Sequence, residues 1–501
     1  MALVRVPLVG NAAIHLDSDL AVDGLTLADA VRGYWRWHYP GTPHMGIGPV
    51  LLSWPQARFW GVSPITLVSG GVVAYEAVVI ATFLLAWRSF GPVAAAWGLV
   101  PLAFASTGTL WLSGRLTGGH LLTVAWHAGA FALLHGWIQR RGIARSLLLG
   151  VWCGLGLYLD WMFLFSLAAI GIAVGLILAR EASRGWPAAL ALVLGGVAGA
   201  TPLEVGRRVD PHDAYKEQFA PLLERDVLVE HGRLLLRDCL PRLIAGHRLP
   251  GLQADPSPAA LGGRASAEPA PQTGLIPVTT TALALGLFGI ALVALACGPP
   301  EPDGLAGRSV RWGLLGSSAA IVAAFLVNRN IFNADNYRYL AFLLVPWSLG
   351  YGLAMRWLAR SRRGLAAAGL GSLLFAGLMT LDTAHWYERL GWIDPSGRPV
   401  RRPLRDPALD WLARHPEITH VFGDYWDVYR LAFLTGGRVQ GAPYPIYPNR
   451  YPGWSRGLGP GRGRLAILRP HPRWPELLAA AWRDDGRTPE ELRGVAIVTW
   501  P

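Results

Sequence analysis

The sequence predicts an α-helical polytopic membrane protein with about eleven transmembrane helices and a small C-terminal α/β extramembrane domain. Hydrophobic residues make up 52% of the 501 residues and charged residues only 16%. Soluble domains need more charge than this, typically about 25%, to cover their surfaces. The net charge of +12 comes from arginines that stand at the ends of apolar runs. Because these arginines form no single basic face, we expect no nucleic-acid partner.

The apolar runs set the expected number of spans. They occur at 66–87, 93–112, 119–138, 146–179, 187–204, 274–297, 312–328, 338–355 and 364–381. The run 146–179 is too long for one crossing and contains Asp160, so we expect two helices there. Residues 1–15 are also apolar and count as a short first span, although at about 1.5 Å per residue they fall short of a core about 30 Å thick.

The arginines also predict the topology. Alternate short loops carry them, as the positive-inside rule requires of cytoplasmic loops. This places the loops 16–65 and 205–273, the turns before His120 and Arg338, and the C-terminal part on the outer face. We therefore expect an integral protein of the bacterial cell (inner) membrane, whose active site and C-terminal domain face outward.

Two extramembrane regions have their own patterns. In the outer loop 205–273, residues 210–249 alternate charged and apolar positions at helical spacing, which predicts a helix on the membrane surface, and residues 250–273 resemble a linker. The chain divides into a membrane domain, 1–384, and an extramembrane domain, 385–501. The latter alternates short strand-like runs (419–422, 438–440, 465–468 and 495–499) with helical runs (404–414, 426–434 and 474–482).

Three carboxylates follow the short apolar N-terminal run, in His15-Leu16-Asp17-Ser18-Asp19-Leu20-Ala21-Val22-Asp23-Gly24. Acids beside a membrane segment are costly unless they are used. Asp17 and Asp19 can converge on one divalent cation, Mg²⁺ or Mn²⁺, or one can act as a general base while the other tunes it. Asp17 or Asp23 could instead simply cap a helix that begins near Leu20, a position that favours aspartate.

Two arginines are expected on the same side as these acids. Arg115 and Arg338 lie at the ends of apolar runs, and the planar guanidinium group suits binding of phosphate oxygens. The alternative for each is that it reaches toward lipid headgroups without a specific ligand.

These motifs together resemble a known family. The acidic loop, the turn Pro40-Gly41-Thr42-Pro43-His44-Met45-Gly46 and the late Arg338-Tyr339-Leu340 are similar to those of the C-type integral-membrane glycosyltransferases. That superfamily includes protein O-mannosyltransferases and lipid A aminoarabinose transferases.

The resemblance implies a polyprenyl-phosphate-linked sugar donor, an inverting transfer, and a glycan, lipid or protein acceptor. It implies Asp19 as the catalytic carboxylate, and we assign Asp17 to support it. In this interpretation the donor phosphate is bound by Arg338, Arg115, His44 and Tyr339, and the substrate loop includes Tyr34, Trp37 and His120.

Two other functions stay open at this point. Glu76 and Asp160 are acids within predicted spans, and in a transporter or lipid-carrier flippase they would carry a proton or an ion. In a non-catalytic membrane assembly protein, the C-terminal domain would recruit a partner. The positions separate these functions, because the enzyme needs Asp19 and Arg338 together, whereas the transporter needs Glu76 and Asp160 on one central path.

Overall fold

The structure is a computed structural model that describes residues 2–181, 185–215, 221–246, 275–298, 304–445, 447–456, 464–468 and 496–498. It is predominantly helical. In chain order the first eleven helices are α1 Val6–Gly10, α2 Ser18–Val31, α3 Gly48–Leu51, α4 Trp54–Trp60, α5 Pro64–Phe90, α6 Pro92–Ala103, α7 Thr107–Leu112, α8 Leu121–Gln139, α9 Ile143–Leu159, α10 Leu164–Glu181 and α11 Trp186–Val209. They are followed by α12 Arg225–Leu234, α13 Leu240–Ala245, α14 Leu275–Cys297, α15 Leu305–Val327, α16 Leu344–Leu358, α17 Arg362–Arg389, α18 Pro407–Arg414, α19 Tyr425–Leu434 and α20 Pro452–Arg456.

Within these described residues, seven helical segments are long and apolar enough to cross a membrane, and α6 and α9 are shorter apolar helices. The seven are Pro64–Phe90, Leu121–Gln139, Trp161–Arg180, Trp186–Val209, Val278–Cys297, Leu305–Val327 and Arg362–Arg389. The predicted polytopic helical fold is therefore confirmed, with fewer full-length spans than the eleven that the sequence predicts.

The observed spans differ from the predicted ones where polar or turn residues interrupt an apolar run. The run 93–112 is divided into α6 and α7, because Ser106 caps the second helix by accepting a hydrogen bond from the backbone of Thr109. The run 146–179 divides as predicted, with α9 ending at Leu159. Asp160 thus lies between two helices, and the prediction that it lies within a span is wrong.

The described residues 2–63 form no crossing. Residues 2–10 make a short 3-10 turn followed by α1, too short to span a membrane. Helix α2 follows the acidic residues, and a two-stranded hairpin, β1 His38–Tyr39 and β2 Thr42–Gly46, leads to α3 and α4. The loop 16–65 consists of short elements, as expected.

The segment 210–249 differs from its prediction. Helix α12 begins at Arg225, passes through a π-helical turn Leu235–Cys239, and continues into α13, whose five residues after Leu240 are buried. Only the first part behaves as a surface helix, because α13 packs against α7 and α14. The predicted linker 250–273 lies outside the described residues.

The C-terminal part contains a parallel sheet of β4 Gln440–Pro443, β3 Ile418–Gly423, β5 Arg464–Leu468 and β6 Ala496–Val498, in that spatial order. Three strands lie close to their predicted positions, and β4 begins where the predicted run 438–440 ends. Helices α18 and α19 match the predictions at 404–414 and 426–434, and the predicted helix 474–482 lies outside the described residues.

Helix α19 packs directly against α2 and shares a hydrophobic core with it. A Cβ atom added at Gly24 of α2 would lie 2.4 Å from the Phe433 ring of α19, so only glycine allows this approach. The C-terminal part therefore lies against the helix that carries the acidic residues.

Candidate active site

The acidic residues are ordered by the start of α2. Asp17 is the N-cap, and its Oδ1 accepts a hydrogen bond from the backbone N–H of Leu20 at 2.9 Å. Asp19 lies in the first turn, where the helix dipole favours a negative charge. Asp23 follows four residues later, so it lies one turn along the same face as Asp19.

Asp17 forms an ion pair with Arg115. The distance between Oδ2 of Asp17 and Nη1 of Arg115 is 2.5 Å, and both side chains are largely buried. The Arg115 guanidinium also lies 4.5 Å from the centre of the Trp111 ring. Helix capping and this ion pair together hold Asp17, so its two interpretations as a cap and as a member of the site are compatible.

Asp19 contacts three groups from distant parts of the chain. Its Oδ2 lies 3.5 Å from Nη1 of Arg338, and its Oδ1 lies 3.6 Å from Nη2 of Arg450. The hydroxyl of Tyr425 donates a hydrogen bond to Oδ1 at 2.6 Å. Burial alone would raise the pKa of Asp19, but the charges of Arg450 and Arg338 and the Tyr425 hydrogen bond hold that pKa below its ordinary value. Asp19 is consequently ionised.

Sequence reasoning did not identify Arg450 and Tyr425. Arg450 is buried, with its guanidinium 4.5 Å from the Tyr215 ring and 5.1 Å from the Tyr39 ring. It follows a short strand in a turn-rich segment and matches no motif. Only its ion pair with Asp19, 431 positions earlier in the chain, reveals its place.

Asp23 is buried and has a different environment. Its carboxylate accepts hydrogen bonds from the hydroxyl of Thr117 at 2.5 Å and from the backbone N–H of Thr117 at 3.3 Å. Burial raises the pKa of Asp23 to about 8, although the Thr117 hydrogen bonds oppose this rise. The prediction that Asp23 could cap the helix is wrong, since it lies inside α2 and ties that helix to the turn after α7.

His120 and Asp160 form a buried pair next to Arg338. Nδ1 of His120 lies 2.6 Å from Oδ2 of Asp160, and the His120 ring lies 5.4 Å from the ring of Tyr339. Tyr339 in turn accepts a hydrogen bond from Nη2 of Arg338 at 3.5 Å. The backbone of His120 has φ 53°, a left-handed conformation that is unfavourable for a residue with a Cβ atom.

The predicted loop residues lie around this centre at different places. The His44 ring packs 5.6 Å from the Trp161 ring, and burial lowers the pKa of His44 to about 4. The Tyr34 side chain is 73% exposed and that of Trp37 44% exposed. The backbone carbonyl of Trp37 accepts a hydrogen bond from the hydroxyl of Tyr158.

A divalent cation is a poor fit to the two candidate ligands. Asp17 is paired with Arg115, and Asp19 with Arg338 and Arg450, so each carboxylate already faces positive charge. In the described part of the chain, no group of three acidic, histidine or cysteine residues is arranged to hold a metal ion. We derive no step through a metal.

The two acids proposed for a transporter, Asp160 and Glu76, lie in different elements. Asp160 belongs to the buried pair with His120, at the junction of α9 and the following 3-10 turn. Glu76 lies in the middle of α5. The hydroxyl of the preceding residue, Tyr75, donates a hydrogen bond to the Leu102 carbonyl. The geometry thus joins Asp19 and Arg338, as an enzyme requires.

Comparison with known proteins identifies the fold. No protein-family model and no curated protein matches the chain. Among solved structures it is similar to ArnT, the lipid A aminoarabinose transferase, from Cupriavidus metallidurans in the apo state. The two chains share 12% identity with a TM-score of 0.56, and the match covers 91% of this chain and 87% of ArnT. The structure of ArnT bound to undecaprenyl phosphate gives a TM-score of 0.53 at 12% identity, covering 99% and 89% of the two chains.

A third similar structure is the oligosaccharyltransferase of Archaeoglobus fulgidus in the apo form. It shares 14% identity and a TM-score of 0.45, and the match covers 88% of this chain and 61% of that longer protein. The match to ArnT shows that this protein has the fold of a C-type integral-membrane glycosyltransferase, which confirms the resemblance at the level of fold.

Proposed function

We propose that this protein is an inverting glycosyltransferase that moves a sugar from a polyprenyl-phosphate donor to an acceptor at the outer face of the membrane. The observation that supports it best is the position of the Asp19 carboxylate at the start of α2, between Arg338 and Tyr425. A base and a phosphate-binding cation are the two groups that such a transfer needs. The fold shared with ArnT, which has been solved with undecaprenyl phosphate bound, supports the same class of donor.

In the proposed step, a hydroxyl oxygen of the acceptor attacks the anomeric carbon of the donor sugar from the side opposite the phosphate. Asp19 takes the hydroxyl proton as the new carbon–oxygen bond forms. The bond between the anomeric carbon and the phosphate oxygen breaks, and its electron pair leaves with the polyprenyl phosphate. The configuration at the anomeric carbon is therefore inverted.

The leaving phosphate gains a negative charge in this step, and we assign Arg338 and Arg115 to stabilise it. The Arg338 side chain is 29% exposed, so it is accessible to a ligand, and Tyr339 lies beside it. Bidentate hydrogen bonds from guanidinium to phosphate are strong because both partners are charged. His120 and His44 lie on neighbouring segments of the chain. The ion pair with Asp17 holds Arg115 in place.

The proposed reaction brings together two kinds of substrate. It requires a lipid-borne donor that reaches the site laterally from the bilayer and a glycan, lipid or protein acceptor whose hydroxyl approaches from the aqueous side. The exposed aromatic side chains of Tyr34 and Trp37 are available for stacking on sugar rings. We place this end of the helical bundle on the outer face, because the positive-inside pattern assigns the loops at the other end to the cytoplasm.

The test is sugar transfer by purified protein in liposomes, with a panel of radiolabelled polyprenyl-phosphate sugars and acceptors from the cell envelope. We expect transfer by the wild type and a loss of at least about 100-fold in Asp19→Asn, since general-base catalysis contributes about 10²–10⁴-fold. Asp410→Asn is the matched control, because Asp410 is an exposed acid of the C-terminal part. Equal rates in wild type and Asp19→Asn would remove Asp19 as the base.

A further inference from the structure

We infer that Tyr425 and Arg450, both from the C-terminal part, are positioning residues that hold one oxygen of Asp19 and leave the other to take the acceptor proton. This inference rests on the proposed function. It makes the C-terminal part a component of the active site.

The two carboxylate oxygens of Asp19 have different partners. Oδ1 accepts the short hydrogen bond from Tyr425 at 2.6 Å and lies 3.6 Å from Arg450. Oδ2 lies 3.5 Å from Arg338. A carboxylate oxygen that is already bound by a hydroxyl and a guanidinium is a poor proton acceptor, so Oδ2 is the one available to a substrate hydroxyl.

Arg450 cannot easily leave this position, because its donors are engaged. Its Nε donates to the Tyr425 hydroxyl at 3.1 Å and its Nη2 to the Tyr215 hydroxyl at 2.7 Å. Its Nη1 donates to the Pro40 carbonyl at 3.3 Å and to the Thr42 hydroxyl at 3.4 Å. With a side chain only 6% exposed, Arg450 is a fixed charge.

Arg338 is held more loosely. Its side chain is 29% exposed, and it contacts Asp19 through one nitrogen at 3.5 Å. A donor phosphate therefore competes with Asp19 for Arg338, and the departure of this cation frees Oδ2 while Oδ1 stays bound. Because Arg450 is fixed and Arg338 is held loosely, we assign Arg450 to hold Oδ1 of Asp19 and Arg338 to bind the donor phosphate.

Hydrogen bonds from side chains to backbone carbonyls hold α2 against α19 and against the β1–β2 hairpin. The Ser18 hydroxyl donates to the Tyr425 carbonyl at 2.6 Å, and the Tyr39 hydroxyl donates to the Asp19 carbonyl at 2.6 Å. Together with the close approach of Gly24 to Phe433, these bonds fix the Tyr425 hydroxyl relative to Asp19. The side chain that holds Oδ1 is thus preorganised by packing.

The test compares Tyr425→Phe with Tyr387→Phe. Tyr387 is a matched control, because it is buried and donates a single hydrogen bond, to the Val4 carbonyl. Rates are measured against donor and acceptor concentration from pH 3 to pH 8, a range that includes the acidic limb set by Asp19. We expect Tyr425→Phe to lower kcat by about tenfold with little change in the KM for the donor, since the lost hydrogen bond to a charged group acts on the base and not on the phosphate.

The pH profile separates positioning from a general loss of structure. Besides Tyr425, the charged and titratable groups around Asp19 in the described part of the chain are Arg338, Arg450, Arg115, Tyr39, Tyr215, Asp17 and Asp23. All of these remain in Tyr425→Phe, and only a donor that favours the ionised form is lost. The acidic limb of kcat/KM should therefore move to higher pH, by about one unit. Tyr387→Phe should keep the wild-type profile.

A second variant covers a failure of Tyr425→Phe to fold. Arg450→Lys keeps the charge but cannot reach four partners at once, and we expect the same shift of the acidic limb with a smaller loss of kcat. Arg438→Lys is its control, since Arg438 donates to three backbone carbonyls of the C-terminal part.

The outcomes distinguish this inference from the proposed function. Transfer that requires Asp19 but keeps its wild-type pH profile and kcat in both Tyr425→Phe and Arg450→Lys would overturn the positioning role alone. Absence of Asp19-dependent transfer in the wild type would refute the proposed function, and the positioning role with it.

Discussion

Asp23→Asn is expected to change the pH dependence of stability in a defined direction. Asp23 is buried and its pKa is raised to about 8, whereas in the unfolded chain the ordinary value near 3.8 applies. Between these two values the folded state holds a proton that the unfolded state has released. A group of this kind contributes stability that is fully present below the unfolded pKa and is lost as the pH rises through the folded pKa.

The size of the effect follows from the shift. Each pH unit in this window changes the free energy of unfolding by about 1.4 kcal/mol. Because the slope declines as the pH approaches 8, the wild type should lose about 2 kcal/mol between pH 6 and pH 8 from this residue alone. At about 2.1 cal/mol/K per residue, the unfolding entropy of a chain of this length converts that energy to about 2 °C in Tm.

Asparagine keeps the shape of the side chain and an oxygen for the Thr117 hydroxyl, but it does not titrate. The difference in Tm between Asp23→Asn and the wild type should therefore rise by about 2 °C from pH 6 to pH 8. Tryptophan fluorescence of the protein in detergent can follow the transition, and Asp410→Asn controls for removal of a charge. A Tm difference that is constant or falls with pH would refute a protonated Asp23 in the folded protein.

Three further predictions concern the neighbouring residues. Arg338→Ala should weaken binding of undecaprenyl phosphate by about tenfold or more, since a hydrogen bond to a charged group contributes about 1.5–3 kcal/mol. Unchanged affinity in a binding titration would contradict the phosphate role of Arg338. Asp17→Ala should lower the Tm more than Asp17→Asn, because asparagine preserves a helix cap that contributes about 1 kcal/mol; equal Tm values would show that the Arg115 pair dominates. His120→Gly should have a higher Tm than His120→Ala, because both lose the Asp160 contact but only glycine relieves a left-handed backbone that costs about 1–2 kcal/mol; the reverse order would show that the backbone relaxes.

Local patterns were enough to predict the elements. Apolar runs identified the membrane helices, Asp160 correctly divided the long run between α9 and the helix after it, and the alternating pattern after residue 404 predicted the C-terminal strands and helices. The count of spans was less accurate, because whether an apolar run continues as one helix depends on caps such as Ser106. Burial of α13 was missed for a related reason: an amphipathic pattern does not say whether its apolar face meets lipid or another helix.

The sequence by itself determined that this is a membrane protein, because apolar runs dominate it, and it predicted that Asp17, Asp19, Arg115 and Arg338 lie on one side of the membrane. Only the tertiary structure decided which arginine pairs with which acid, and that Tyr425 and Arg450 join them. Contacts between residues some 400 positions apart depend on how α19 packs on α2, and no local pattern of residues records that packing. The acidic residues predict a site in the sequence. In the folded protein, different partners lower the pKa of Asp19, whereas burial raises the pKa of Asp23.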